Sequence, residues 1–318
     1  MRLGIRALSD LEIRLGVKRK YLRQFAQVGD AAYSPFPLRR KPKPFQRVID
    51  YKERNIDNPR RELKAIQRRI ARRLLDTQSL PDFIQGAVKG KSITTNAGKH
   101  LGSPKLVRLD IRKYFPSFEA RHVYEVWHTV LGCNSKIAML LTRLVTYQGH
   151  LPQGAPTSTA LANIYMAYLL SPIAAEAAIA GVQITVWVDD IAISGSDALH
   201  WVERVRRPLA EKGFSFPRRK RVISLKNDSK VLTGTRLGRY HVRALPQALK
   251  SIRAGIHKLR AGLIPKSEQP AYLLSLRARL AHVESICPTD AARLKSDFEA
   301  VSKSTLKRPS HQCPATQA

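Results

Sequence analysis

The stretch Val186-Trp187-Val188-Asp189-Asp190-Ile191-Ala192-Ile193-Ser194 places two adjacent carboxylates between two short apolar runs. The runs Ile184–Val188 and Ile191–Ser194 are rich in β-branched residues and predict two strands. Only Asp189 and Asp190 lie between these runs, so the sequence predicts a tight hairpin with the pair at its tip. An Asp-Asp pair is often only a polar turn. Here the apolar neighbours predict a sheet interior, where two like charges repel and lose hydration, and divalent cations would resolve both problems.

A third carboxylate follows an earlier apolar run. Leu106–Ile111 predicts a strand with Asp110 near its end, and Pro116 and Ser117 break this strand. Asp110 precedes Asp189 by 189 − 110 = 79 residues, so only the fold could bring the two carboxylates together.

A turn-rich segment lies between the two acidic elements. Leu151-Pro-Gln-Gly-Ala-Pro-Thr-Ser158 leads into an apolar helix that continues to Leu170, and Thr157 or Ser158 can cap this helix. Free backbone N–H groups at such a start favour an anion. An ordinary capped helix is the alternative interpretation, and the position between the acidic elements weighs against it.

The charge balance indicates a polyanionic partner. The 318 residues include 56 Lys and Arg against 24 Asp and Glu, a formal net charge of +32. This excess predicts nucleic-acid binding that weakens as salt rises, with a membrane surface as the weaker alternative. We expect no transmembrane helix, because no apolar run reaches 18 residues, and no signal peptide, because Met1 to Gly16 is charged throughout. Three cysteines, far apart, match no zinc spacing.

Two basic elements come before Asp110. Residues 33–50 predict a strand, a basic turn and a second strand, and the turn could clamp a triphosphate or be a solvated loop. Asn58-Pro59 predicts a helix start, and Leu63, Ile66, Ile70 and Leu74 then recur on one face. Seven cations crowd the rest of this helix, and we interpret them as a surface for a nucleic-acid backbone: Arg60, Arg61, Lys64, Arg68, Arg69, Arg72 and Arg73.

These motifs, in this order, resemble those of a reverse transcriptase over about residues 30–300. The resemblance rests on Asp110-Ile-Arg-Lys-Tyr-Phe-Pro-Ser, Leu151-Pro-Gln-Gly-Ala-Pro-Thr-Ser, Val188-Asp189-Asp190 and Lys220. Asn96-Ala97-x-x-His100 and Leu232-Thr233-Gly234 further resemble elements of the bacterial retron type, with Leu in place of Val. The family usually has Tyr-Ala before the aspartate pair and an acid at the position of Lys113, so Trp187-Val188 and Lys113 are departures.

The resemblance implies an α+β, right-hand polymerase fold with fingers, an antiparallel-sheet palm and a helical thumb. The implied divisions are an N-terminal helical element (1–30), fingers (31–105), palm (106–235, with finger helices at about 120–155), thumb (236–305) and a disordered tail (306–318).

The resemblance also implies roles for individual residues. Asp110, Asp189 and Asp190, with the backbone carbonyl of Ile111, would hold two Mg²⁺ ions, and Lys220 would protonate the leaving pyrophosphate. The nucleotide would be bound by Arg39, Arg40, Arg47, Gln153 and Gly154, with Phe115 under the sugar, where it would exclude a 2′-hydroxyl. RNA would be bound by Arg68, Arg72, Asn96, His100, Thr233 and Gly234.

A retron enzyme of this kind would act in the bacterial cytoplasm. A structured non-coding RNA would serve as template and primer, dNTPs as substrates, and the product would be a branched RNA–DNA molecule, multicopy single-stranded DNA. An RNA–DNA hybrid and a separate effector protein for antiphage defence are the other implied partners.

Other function classes were weighed against this interpretation. Another bacterial reverse transcriptase, group II intron-like or defence-associated, would share the palm motifs, although no maturase or endonuclease region is recognised. A palm-type RNA polymerase would be expected to have a small or polar residue at Phe115. A non-enzymatic RNA-binding protein would explain the charge but not three acids among apolar strands.

Overall fold

The apolar runs around the aspartate pair form the central antiparallel sheet. We describe it in a computed structural model that covers residues 2–38, 53–217, 222–225 and 228–307, with the side chains of 304–307 left aside. The described helices are α1 (Leu8–Leu15), α2 (Arg19–Val28), α3 (Arg61–Ile70), α4 (Ile93–Gly98), α5 (Ala120–Glu125), α6 (Ser135–Val145), α7 (Ser158–Ile179), α8 (Trp201–Glu211), α9 (Pro246–Arg260), α10 (Gln269–Ile286) and α11 (Pro288–Lys307). The strands are β1 (Phe36–Leu38), β2 (Arg54–Ile56), β3 (Leu106–Asp110), β4 (Gln183–Trp187), β5 (Asp190–Ser194), β6 (Val222–Ser224), β7 (Val231–Leu232), β8 (Thr235–Leu237) and β9 (Val242–Ala244).

The chain divides into two compact units. The first contains the described residues up to Ser92 and from Pro104 to Leu225, and the second contains Ile93–Ser103 together with the described residues after Lys226. Ile93–Ser103, which the sequence-based division assigns to the fingers, therefore packs in the second unit. Each unit has its own apolar core. The tail predicted from the sequence lies, after residue 307, outside the described residues.

The central sheet of the first unit has the strand order β4-β5-β3-β6. Its pairs are antiparallel, and both faces of β5 are buried from Ile191 to Ser194. The apolar side chains that predict these strands are therefore the reason that the sheet lies inside the unit. This arrangement of helices on an antiparallel sheet is the expected α+β fold.

The β4–β5 hairpin turns one residue earlier than the sequence suggests. Trp187 pairs with Asp190, so the two-residue turn consists of Val188 and Asp189, and Asp190 begins β5. Val188 has a φ of +55°, which β-branched residues rarely adopt. Asp190 is thereby fixed in the ladder, whereas Asp189 lies at the tip.

Helix α7 packs against β4 and α8 and supplies much of the core beside the sheet. Among the described helices, α7 alone is long and apolar enough to cross a membrane, but this is weak support because buried core helices pass the same test. Leu161, Tyr165 and Met166 are fully buried within the unit, so the apolar composition of α7 serves its packing.

Strands β1 and β2 pair as the predicted two-stranded element, but β2 lies later in the chain than expected. The basic turn from residue 39 to residue 52 lies outside the described residues. Helix α3 begins at Arg61 rather than at Asn58, whose side-chain oxygen instead accepts a hydrogen bond from Lys64 Nζ at 2.9 Å. The predicted apolar face of α3 is buried, with Leu63, Ile66 and Ile70 in the core.

The second unit combines a small sheet with three long helices. Strands β7, β8 and β9 pair in that order, and α9, α10 and α11 pack around Leu276, Leu280 and Phe298. The short helix α4 packs against β8 and β9. Its contacts place the Asn96 and Thr233 elements in one unit, although they are far apart in the chain.

Candidate active site

Strand pairing brings the three predicted carboxylates to one end of the central sheet. Asp110 ends β3 and lies directly opposite Asp190, the first residue of β5. The Ile111 N–H donates a hydrogen bond to the backbone oxygen of Asp189 at 3.0 Å, which ties the hairpin turn to the end of β3. The separation of 79 residues is therefore closed by the register of two central strands.

Asp190 lies in a partly buried position beside a cation. Burial raises the pKa of its carboxyl, while Arg108 opposes this effect and the neighbouring Asp189 and Asp110 add to it. Arg108 Nη2 lies 3.5 Å from Asp190 Oδ2. Three acids that are close together and partly dehydrated favour a bound cation over three bare negative charges.

A cavity of about 320 Å³ opens in front of these acids. It is lined by five of the residues predicted from the sequence: Asp110, Ile111, Phe115, Gln153 and Asp189. Gly154 follows Gln153, and a Cβ at Gly154 would lie 2.8 Å from the Ile56 side chain, so no larger residue fits there. The cavity is also lined by Arg54, Lys113 and Tyr114, which were not predicted to contact a nucleotide.

Arg54 reaches the cavity because β2 is fastened to the loop before α7. The Asp57 carboxylate accepts a hydrogen bond from the Gln153 N–H at 2.9 Å, and the Asp57 N–H donates to the Gln153 carbonyl at 2.9 Å. This double contact fixes the exposed Arg54 beside the acids. Arg39, Arg40, Arg47 and Lys220 lie outside the described residues, and their roles remain predictions.

The catalytic hairpin is supported from behind by residues 83–86. Val186 N–H donates to the Phe83 carbonyl at 2.8 Å, and the Val186 carbonyl accepts from Gln85 and Gly86. The buried Asn163 side chain of α7 donates to the Gly86 carbonyl at 2.8 Å. A Cβ at Gly86 would lie 2.5 Å from Val188 N, so this close approach requires glycine.

The acids offer donors of the kind that divalent cations bind. Among the described residues, no three acidic, histidine or cysteine side chains form a closed metal cage in this conformation, in which Asp190 is paired with Arg108. Asp110 and Asp189 line the same cavity and supply hard oxygen donors, which Mg²⁺ prefers. The chemistry of these donors therefore fits a divalent cation.

The arginines of α3 and the π-helical turn that follows it divide into two groups. Arg69 donates to the carbonyls of Leu15 and Gly16, and Arg73 donates to the carbonyl of Arg14 at 3.0 Å. These contacts satisfy the last carbonyls of α1, where cations also complement the helix dipole. Arg68 and Arg72 are exposed and remain available to a polyanion.

The Asn96 and Thr233 elements meet in the second unit. Asn96 Nδ2 donates to Thr233 Oγ1 at 3.4 Å. Thr233 and Gly234 form the two-residue β7–β8 turn with φ of +45° and +80°, the signs of a type I′ turn. Asn96 and His100 are fully buried, and burial lowers the pKa of His100 to about 4. Their side chains face the core in this conformation, while Gly234 is exposed.

Comparisons with known proteins agree with this geometry. The profile of the family "Reverse transcriptase (RNA-dependent DNA polymerase)" matches residues 41–261, more than half of the chain. Retron Ec86 reverse transcriptase of Escherichia coli is 29% identical over 306 residues, which cover 95% of this chain and 91% of that protein. Retron Mx65 reverse transcriptase of Myxococcus xanthus is 30% identical over 266 residues, covering 76% and 60%.

A solved structure of apo telomerase from Candida tropicalis, truncated from its C-terminal domain, is 14% identical and covers 46% of this chain and 36% of its own. Its TM-score of 0.37 is too low to support an argument. The family match and the retron relatives instead decide the identity. The chain belongs to the reverse transcriptase (RNA-dependent DNA polymerase) family and is a reverse transcriptase of the retron type.

Proposed function

We propose that this reverse transcriptase copies a structured non-coding RNA that also primes synthesis, and that it makes a branched RNA–DNA product, multicopy single-stranded DNA. The observation that carries the polymerase chemistry is the register pair of Asp110 and Asp190, with Asp189 beside it at one cavity. The retron part of the proposal is supported by the contact between Asn96 and Thr233, which joins the two retron-like elements.

Asp110, Asp189 and Asp190 would hold two Mg²⁺ ions, with the Ile111 carbonyl as a further ligand. When bound, such ions stabilise the attacking and leaving oxygens of the nucleotidyl transfer. Arg54, beside the acids, would bind the triphosphate together with Arg39, Arg40 and Arg47. Gln153 and Gly154 would shape the nucleotide pocket, and Lys220 would donate a proton to the leaving pyrophosphate.

Phe115 would set the preference for deoxynucleotides. It lines the cavity and packs edge-on against Tyr114, with the ring centroids 5.2 Å apart. Phe115→Ala should open space for a 2′-hydroxyl and raise ribonucleotide incorporation relative to deoxynucleotides by roughly 10- to 100-fold. Incorporation ratios measured with paired dNTP and rNTP substrates check this prediction.

Phe115→Tyr is the matched control, because it keeps the aromatic ring in place. This variant should retain the parent preference for deoxynucleotides. An unchanged ratio in Phe115→Ala would instead assign the ring to core packing, with no role in sugar selection.

Arg68 and Arg72 would contact phosphates of the RNA or of the RNA–DNA hybrid, because both side chains are exposed on a helix rich in cations. Replacing both by glutamine should weaken binding to all duplexes alike, since phosphate contacts carry no sequence information. The salt dependence of log K should fall by about 0.7–0.9 for each phosphate that is no longer neutralised. Fluorescence anisotropy at several salt concentrations measures both quantities.

Arg69 and Arg73 give the matched comparison, because they lie on the same helical segment but bind the end of α1. Replacing these two by glutamine should lower the melting temperature, with a smaller change in the salt slope. Equal salt slopes for the two double variants would contradict the division of the arginines.

In the second unit, Thr233 and Gly234 would contact the structured RNA, because their turn reaches the surface at Gly234. Asn96 and His100 would act by holding this turn from the core, with Asn96 bonded to the Thr233 hydroxyl. RNA of this kind is recognised through its shape and its unpaired bases.

Nucleic acid extracted from the purified protein tests the proposed function. DNA joined to RNA through a branch that resists DNA-only and RNA-only nucleases would support it. An enzyme that extends ordinary annealed primers but yields no branched species from its native host would point to another class of bacterial reverse transcriptase. We further propose a cytoplasmic site of action and an effector protein for antiphage defence, which deletion of neighbouring genes under phage challenge would test.

A further inference from the structure

The β8–β9 hairpin presents an exposed aromatic residue at its tip. Leu237 pairs with Val242, so residues 238–241 form the connection, and Tyr240 within it is 69% exposed. A single exposed apolar side chain is ordinary on a protein surface. The conformation and the charge of this tip distinguish Tyr240 from such a residue.

The connection is held in one conformation by its own backbone. The Gly238 N–H donates to the His241 carbonyl at 2.9 Å. A Cβ at Gly238 would lie 2.7 Å from the same oxygen, so the tight turn depends on glycine. Tyr240 is therefore presented on a pre-organised support, which lowers the entropy lost when a ligand stacks on it.

Positive charge surrounds the ring. The Arg239 guanidinium lies 5.2 Å from the centroid of Tyr240, within the range of a cation–π contact. The sequence contains no acidic residue between Asp228 and Glu268. The tip Arg239-Tyr240-His241 thus combines an aromatic surface with a cation and lacks local acids.

The strands behind the tip add further cations. Arg236 and Arg243 lie directly opposite each other on β8 and β9, an arrangement of like charges that is unfavourable without a partner. Arg243 Nη2 pairs with Asp290 at 2.6 Å. Among the described residues, none forms an ion pair with Arg236, so one of the two charges is left for an external anion.

We propose that this hairpin tip is a stacking site for an unpaired nucleotide of the RNA that the enzyme holds as template and primer. Tyr240 stacks on the base, and Arg239 and Arg236 bind the adjoining phosphates. Base stacking on aromatic residues beside a cationic track is a general mode of single-strand binding. The RNA partner rests on the proposed function, whereas the preference for unpaired nucleotides rests on the tip itself.

The test compares the binding of a short uridine oligoribonucleotide and of a blunt RNA duplex. Tyr240→Ala should lose about 5- to 150-fold in affinity for the single strand, because stacking contributes that much per base. Its affinity for the duplex should not change. Tyr240→Phe should bind as the parent does, and Tyr240→Leu, of similar bulk without a ring, should lose affinity as alanine does.

Two controls separate stacking from general effects. Leu274 is also 69% exposed in the same unit, and Leu274→Ala should leave single-strand binding unchanged. Arg239→Gln should lower the salt slope by about 0.7, whereas Tyr240→Ala should lower affinity at an unchanged slope. Parent-like binding by Tyr240→Leu, or equal losses on strand and duplex, would overturn the proposal.

The same comparison distinguishes this inference from the proposed function. If Tyr240→Ala loses single-strand binding but the parent enzyme yields no branched product, only the retron-specific partner is wrong. If branched product forms but Tyr240→Ala binds the uridine strand like the parent, only the stacking site is wrong. Measurements with a uridine oligodeoxynucleotide show whether the site also accepts DNA, which would overturn the assignment to RNA if DNA binds more tightly.

Discussion

Replacing Asp189 by asparagine is expected to lower the rate of DNA synthesis on an RNA template by more than about 100-fold. Asparagine keeps the shape of the side chain but removes its negative charge. Asp189 lies in the two-residue hairpin turn and lines the cavity together with Asp110, where divalent cations would be held. Single-turnover extension of an annealed primer measures the rate without a contribution from product release.

Asp197→Asn supplies the control, because it makes the same change in charge at an exposed residue shortly after β5. This control should extend primers at the parent rate. Both variants should bind RNA with parent affinity, because binding depends on the basic surfaces rather than on the acids. An Asp189→Asn enzyme within a few-fold of the parent rate would remove Asp189 from the proposed metal site.

Gly86→Ala should reduce the same rate by roughly 100-fold, the loss that a displacement of about 1 Å of catalytic groups can cause. The added methyl carbon would lie 2.5 Å from Val188 N and 2.9 Å from the Trp187 carbonyl carbon. Both are backbone atoms, so the hairpin itself must shift to relieve the overlap. Val188 already has a positive φ, and any such shift also moves the adjacent Asp189.

Gly98→Ala is the matched control, because a Cβ at Gly98 meets no atom within 4 Å. Assays should be run well below the melting temperature of each variant, because overpacking also destabilises by about 1–3 kcal/mol. A lower kcat with an unchanged KM for dNTP would indicate that the catalytic acids have moved. A parent-like kcat in Gly86→Ala would show that residues 83–86 do not set the hairpin position.

The sequence was sufficient to predict the fold and the meeting of Asp110 with the aspartate pair, because alternating apolar strands specify their own burial. It placed the second finger strand too early, because Val48-Ile49 is more apolar than Arg54-Asn55-Ile56. Arg54 was missed for this reason. The spacing from Arg54 through Ile56 to the helix start at Asn58-Pro59 was the signal that could have identified it.

Charge and motif patterns were less informative about which side chains are exposed. The arginines of α3 and its continuation look equivalent in sequence, yet Arg69 and Arg73 bind the end of α1. Asn96 and His100 are polar residues in a recognisable motif, yet both are buried. Burial and hydrogen bonding of this kind depend on distant segments such as α1 and the β7–β8 turn, which local periodicity cannot reveal.

The placement of α4 in the second unit has a consequence for the order of folding during synthesis. Asn96 leaves the ribosome 137 residues before its partner Thr233. At about 5–20 residues per second, this interval lasts roughly 7–27 s. A six-residue helix such as α4 is not stable on its own, so Ile93–Ser103 waits without its native partners while the central sheet is being translated. Completion of the second unit is therefore a late event of biogenesis, and a fragment beginning at residue 226 would lack one of its own parts.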